Sequence, residues 1–180
     1  MPVETDPFEA LYARGVTDGL PVVAPTAARV AAAVEASGRP RDELVALVAP
    51  RLGRATVEKI AINAVMAGCR PEYLPVVIAA VEAICDPAFA LVGVSGTTDA
   101  VAPLLIVNGP VRAAVDVNSG AGVFGPGWRA NATIGRAVRL VMRNTIGTLP
   151  GTLDQSSLGH PGKYSYCIAE NEAQSPWPPL

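Results

Sequence analysis

The chain of 180 residues has little of what metal and cofactor chemistry is usually built from. It carries one histidine, His160, and three scattered cysteines, Cys69, Cys85 and Cys167. No CxxC, HExxH or paired-histidine spacing occurs, which excludes the common zinc motifs. No Gly-Lys-Ser/Thr closes a glycine run, so a Walker phosphate loop is absent. Charged residues make up 17% of the chain and the formal net charge is −2, which argues against a broadly basic nucleic-acid surface. No apolar stretch reaches the roughly 18–20 residues needed to cross a bilayer. The longest, over 73–85, is interrupted by Pro75 and Glu82. Residues 1–7 are acidic and lack an apolar run, so no secretory leader is expected. The chain is therefore expected in the cytoplasm, with reduced thiols and with no nucleic acid or membrane partner. No metal site and no organic cofactor are predicted, although an Asp, Glu or Asn magnesium site has no spacing signature and stays open.

What is present is half apolar by composition, enough for one domain with a real core. Helices are expected over 6–12, 26–36, 56–68, 71–84 and 130–145. Thr26 and Thr56 read as N-caps; Gly38, Gly68 and Gly147 stand just past helix ends. Strands are expected over 89–94, 104–107 and 164–168, with 20–23 extended and 44–48 either a strand or a short helix. The eight or nine residues between the first two strands are short for a crossover, so a hairpin is favoured. This mixed order predicts an α/β or α+β layered domain over 1–174, several helices on a small sheet, with a proline-rich tail over 175–180.

The densest signal is the glycine-rich run over 117–127, which leads directly into the last helix. Gly120, Gly122, Gly125 and Gly127 let backbone approach a ligand closely. Arg129, Asn131 and Arg136 follow at the helix start. Free N–H groups, a positive dipole end and guanidinium forks together favour a carboxylate or phosphate. Asn131 reads as the helix cap, Arg129 as a bidentate ligand, and Arg136, seven residues on, as facing the same side. Asn118, Ser119, Gly127 and Trp128 complete the loop side of this expected substrate site. The glycines also match G-x-G-x-x-G, but the strand before them is poor and no acidic residue follows about 20 positions on.

Further candidates lie elsewhere. Lys59 and Asn63, spaced i, i+4, can project together from an otherwise apolar helix. Cys69 follows a helix C-terminus, which disfavours a thiolate, beside Arg70, which favours one. The segment 160–172 is rich in polar groups, with Tyr164 or His160 opposite Glu170 as an acid–base pair and Cys167 as a second thiol. The expected catalytic set is Lys59, Tyr164, Cys167 and Glu170.

Three stretches, Ala55 through Val77, Gly125 through Arg136 and Pro161 through Glu172 with the Ser175-Pro176-Trp177 that follows, resemble a bacterial protein family without an assigned activity, some members of which are grouped with the selenoprotein-related UGSC proteins. The resemblance spans most of 16–180. It implies no activity of its own, and it implies that longer relatives continue past Ser-Pro-Trp, so that this chain matches one half of a two-part protein. The expected function is that of an enzyme or enzyme subunit acting on a small anionic metabolite by lyase- or hydrolase-type acid–base chemistry, in a homo- or hetero-oligomer with a second protein chain. A thiol redox or transfer protein using Cys69 and Cys167, and a non-catalytic partner subunit docking through Trp177, are the alternatives.

Overall fold

The computed structural model describes residues 6–180, so the reading of 1–7 as free of a leader falls mostly outside them. Helix α1 (Pro7–Ala13) starts at Asp6, whose side chain accepts from Phe8 N, with proline at its first position. Helix α2 (Ala27–Ser37) is capped by Thr26 and stops at Gly38, which adopts φ +66°. Strands β1 (Leu44–Val48) and β2 (Gly53–Thr56) form an antiparallel hairpin. Thr56 ends β2 and also caps α3 (Val57–Ala67), accepting from Lys59 N. After a turn over Pro71–Tyr73 comes α4 (Leu74–Cys85), with Pro75 in its first turn, where no amide is missed. Then follow α5 (Leu91–Gly96), β3 (Leu105–Val107), α6 (Val111–Ala114), the glycine-rich loop, α7 (Arg129–Ile146) and β4 (Cys167–Ala169).

The result is a single α/β domain of seven α-helices and two small two-stranded sheets among the described residues. Two sequence expectations are corrected. Residues 89–94 are not a strand: Asp86 starts a tight turn over Pro87–Phe89, Ala90 takes φ +53°, and α5 begins at Leu91. A short apolar run has no periodicity that separates strand from buried helix, and here the local turn decides it. The expected hairpin therefore does not form; β3 pairs in parallel with β4, Leu105 opposite Cys167 and Val107 opposite Ala169. The segment 20–23 makes no ladder, although Val23 N donates to Met66 O. Strand β2 went unread because Thr56 signals a helix start more strongly than Gly53–Ala55 signal a strand.

Helices α3 and α7 form the most extensive packed pair, with α2 and α4 laid against them. Their buried faces follow helical spacing: Ile60, Ala61 and Ala64 on α3, Leu74, Val77, Ile78 and Val81 on α4, and Ile134, Ala137, Val138 and Val141 on α7. One close approach fixes the C-terminal segment. A Cβ on Gly135 would lie 2.6 Å from both Ser165 Oγ and Tyr166 N, so only glycine lets the chain cross α7 there. Ser165 Oγ bonds the Ala132 carbonyl at 2.7 Å and the Asn131 carbonyl at 3.1 Å. The crossing pins residues 160–167 along α7. No single helix among the described residues is long and apolar enough to cross a membrane.

Candidate functional site

The chain leaves the C-terminal end of α7 at Gly147, loops out, and returns along the same helix to reach β4. Between loop and helix opens a cavity of about 560 Å³. Arg139 and Arg143, one turn apart, line it from α7, and Thr148, Asp154, His160, Lys163 and Tyr164 line it from the loop. Arg139 Nε donates to the Lys163 carbonyl at 3.0 Å, which ties the loop to the helix. Lys163 Nζ bonds Asp154 Oδ2 at 2.7 Å, with Arg139 Nη2 3.8 Å from the same oxygen. Asp154 is only 8% exposed. Burial pushes its carboxyl up, but the Lys163 ammonium and the hydroxyl and amide of Ser156 outweigh it and hold the group below its ordinary value. Burial lowers the Arg139 pKa, against the pull of Asp154.

Two polar atoms of this lining have no partner among the described residues: Arg143 Nε and Thr148 Oγ1 are both buried and unbonded. Thr148 as a whole is 5% exposed. A buried hydroxyl and a buried guanidinium N–H without partners cost about 1–3 kcal/mol each. Three cations therefore face a single available carboxylate. Asp18 also lines the cavity, but Arg136 holds it with two bonds of 2.8 Å.

A second cavity of about 480 Å³ adjoins the first and shares His160, Pro161 and Tyr164 with it. Its far wall is the glycine-rich loop, Val123 to Pro126. The Phe124 ring lies 5.3 Å from Tyr166, and Tyr166 in turn meets His160 edge-on at 5.7 Å. His160 Nδ1 accepts from Gly162 N at 3.0 Å. That bond assigns the proton of the neutral ring to Nε2, leaving an N–H donor for a ligand. Cys167 lines this cavity but is 4% exposed, and burial, with a smaller effect of the Cys69 thiol, pushes its thiol up to about 12.

Of the residues expected to act together, Asn131, Tyr164 and Cys167 line the second cavity, and the others are distributed over the molecule. Tyr164 lies on the wall common to both cavities. Asn131 is not the helix cap: Trp128 holds that position without a side-chain bond, and Asn131 sits inside α7. Its amide takes both backbone groups of Asn118, accepting from N at 2.8 Å and donating to O at 3.0 Å, and so fastens the glycine-rich loop to the helix. Asn118 uses its own side chain within the loop, on Gly120 N and Ala121 O. Ser119, Gly127 and Trp128 lie on the same loop and line neither cavity. Arg136 spends Nε and Nη2 on Asp18 and on the Leu20 and Pro21 carbonyls, so it ties the N-terminal segment to α7. Arg129 points the other way, donating from Nε to Gly68 O at 2.9 Å.

Lys59 and Asn63 do not converge. Lys59 is exposed, while Asn63 is buried and bonds the Lys59 carbonyl and Asn144. Glu170 accepts from the amide of Leu180 and is outside both cavities. Cys69 donates to the Thr133 carbonyl, and burial pushes its thiol up to about 12 despite Arg129 and Arg136 nearby.

Arg139, Arg143, Thr148 and Asp154 were missed, and a sequence signal for them exists. Between Asp116 and Glu170 the only acid is Asp154, against Arg129, Arg136, Arg139, Arg143 and Lys163. Arginines at 136, 139 and 143 also keep to one face of a helix, the i, i+3, i+7 pattern that normally carries apolar residues toward a core. No family model, no curated protein sequence and no solved structure matches this chain.

Proposed function

We propose that the chain is an enzyme or enzyme subunit that binds a small carboxylate or phosphate metabolite in the cavity between the C-terminal half of α7 and the 148–164 loop. One observation carries this reading: Arg139, Arg143 and Lys163 face one available carboxylate, Asp154, beside the buried, unpartnered hydroxyl of Thr148. An anion would balance the charge of these three cations. The His160 Nε2–H and the Tyr164 hydroxyl, on the wall shared with the second cavity, supply hydrogen-bond donors to a bound substrate, with Tyr164 as the proton donor that lyase- or hydrolase-type chemistry needs. The adjoining cavity beside Phe124 and Tyr166 has room for the uncharged part of the molecule.

The test is a thermal-shift panel of small mono- and dicarboxylates, followed by turnover assays on whichever stabilises the protein. Stabilisation that disappears in Arg143→Ala, and turnover that falls in His160→Gln while binding persists, are the expected results. Equal stabilisation of wild type and Arg143→Ala would refute the site. The thiol alternative is disfavoured, because at neutral pH both Cys69 and Cys167 are held as thiols.

Assembly with a second chain is a further part of the reading. Parallel sheets are ordinarily covered on both faces, yet the β3–β4 pair leaves Leu104, Ile106 and Val111 exposed next to α4. A native mass measurement showing a strict monomer at micromolar concentration would remove it.

A further inference from the structure

A third cavity, of about 320 Å³, lies at the opposite end of α7. Three arginines from three different parts of the fold line it: Arg29 from α2, Arg70 from the loop after α3, and Arg129 from the first position of α7. No carboxylate lines it. The nearest acidic contact is Glu72, 3.8 Å from Arg70, with both side chains more than half exposed, a distance that neutralises little. Two of the three guanidiniums are fixed by one nitrogen each: Arg29 Nη1 donates to the Ala24 carbonyl at 3.0 Å, and Arg129 Nε to Gly68 O at 2.9 Å. Each is thereby held in place and still has N–H groups without a protein partner. The rest of the wall is formed by Val23, Ala33, Val65, Pro71 and the Cys69 thiol, and all three arginines are exposed, so a ligand can reach them from solvent.

We infer that this cavity is a second anion site, separate from the cavity proposed above, and that its ligand is a phosphate monoester. Three like charges around one space repel one another unless an anion sits between them. A monocarboxylate satisfies one guanidinium fork and leaves two unmatched. A phosphate dianion offers three equivalent oxygens and twice the charge, matching three donors that converge from three directions. The cavity is larger than inorganic phosphate alone, and its apolar wall suits a small ester group. Arg129 and Arg143 are fourteen positions apart on α7, so the two sites are about 21 Å apart along the helix. Either can be altered without touching the other.

The experiment is calorimetric titration of the full chain with inorganic phosphate and with methyl phosphate, repeated on Arg29→Ala, Arg70→Ala and Arg143→Ala. All three residues are replaced without opening the core, and circular dichroism melting checks that each variant folds. Methyl phosphate is expected to bind, more tightly than inorganic phosphate, and each of Arg29→Ala and Arg70→Ala to weaken one binding event by about tenfold to a hundredfold, an event that Arg143→Ala leaves unchanged even where it removes a separate one at the other cavity. Tighter binding of inorganic phosphate would assign the site to the free ion and overturn the ester. Binding that survives Arg29→Ala and Arg70→Ala but is lost in Arg143→Ala would place the phosphate in the other cavity and overturn the second site. Absence of binding at millimolar concentration would do so as well.

Discussion

The two ends of α7 carry the same side chain to opposite effect. In its N-terminal half, Arg136 is closed off by Asp18 and two backbone carbonyls, and Asn131 by the backbone of Asn118. In its C-terminal half, Arg143 keeps a buried N–H without a partner and faces a cavity with Lys163 and Thr148. The first half therefore fastens distant segments together, the N-terminal stretch through Asp18 and the glycine-rich loop through Asn118. The second fastens as well, Arg139 through the Lys163 carbonyl and Arg143 Nη2 through a long 3.5 Å bond to Gly15 O, but it leaves Arg143 Nε without a partner. A guanidinium is a candidate ligand only when the fold leaves it something to bind, and the partners, not the residue type, distinguish the two halves.

The sharpest way to break this contrast is to remove a fastening. Arg136→Ala leaves Asp18 as an unpaired carboxylate in a place where both side chains are only 14% exposed. A loss of about 2–3 kcal/mol is expected from chemical denaturation, less than for a fully buried pair. The pH dependence of this contribution has a definite sign. Burial raises the Asp18 carboxyl, but the Arg136 guanidinium together with the backbone amides of Leu20 and Asp18 itself outweighs it, so its folded-state pKa lies below the unfolded value. The stabilisation is therefore present above the unfolded pKa, near 4, and is lost as the pH falls through the folded one. The stability difference between wild type and Arg136→Ala should be constant at neutral pH and shrink in acid. A difference that grows in acid would contradict the pairing.

Gly135→Ala attacks the crossing that sets the loop against α7. Its new methyl would meet the Tyr166 amide, and about 1–3 kcal/mol of destabilisation is expected together with weaker ligand binding, because Lys163 and His160 move with that segment. Arg143→Ala should do the reverse. Melting temperature should hold, while affinity for an anion falls at least tenfold, by about 1.4 kcal/mol or more. The smallest effect is also the most discriminating. Thr148→Val replaces a buried unbonded hydroxyl by a methyl group, and should raise stability by up to about 1 kcal/mol, or about 2–4 °C in Tm. The same change should weaken binding. A destabilised Thr148→Val protein would mean that the hydroxyl already has a partner.

How much of this was legible in the sequence depends on how far apart the deciding residues lie. Helix ends were readable because caps are local: Thr26, Thr56, Gly38, Gly68 and Gly147 each act within four residues of their own position. The general α/β architecture was readable for the same reason. The β3–β4 pairing was not, because Leu105 and Cys167 meet only after α7 has been packed between them in sequence. Nor was the fate of Arg136, whose partner Asp18 is 118 residues away. Tyr164, expected as an acid–base group, lies on a cavity wall, but the cations beside it give less local signal than those at the helix start, where glycines and a dipole stand out in the sequence. Lys59, Asn63 and Glu170 share sequence neighbourhoods with apolar or polar runs, but the fold gives the first to solvent and the other two to backbone groups.

The most direct measurement is an anion titration of wild type and Arg143→Ala side by side, followed by the backbone amide resonances of Gly147–Lys163 and of Asn118–Arg129. If the C-terminal half of α7 holds the ligand, a small carboxylate will shift the first group in wild type and leave the second nearly still, and it will shift neither group in Arg143→Ala. Saturable shifts centred on 118–129, unchanged by Arg143→Ala, would return the site to the glycine-rich loop and contradict the division between the two halves of the helix.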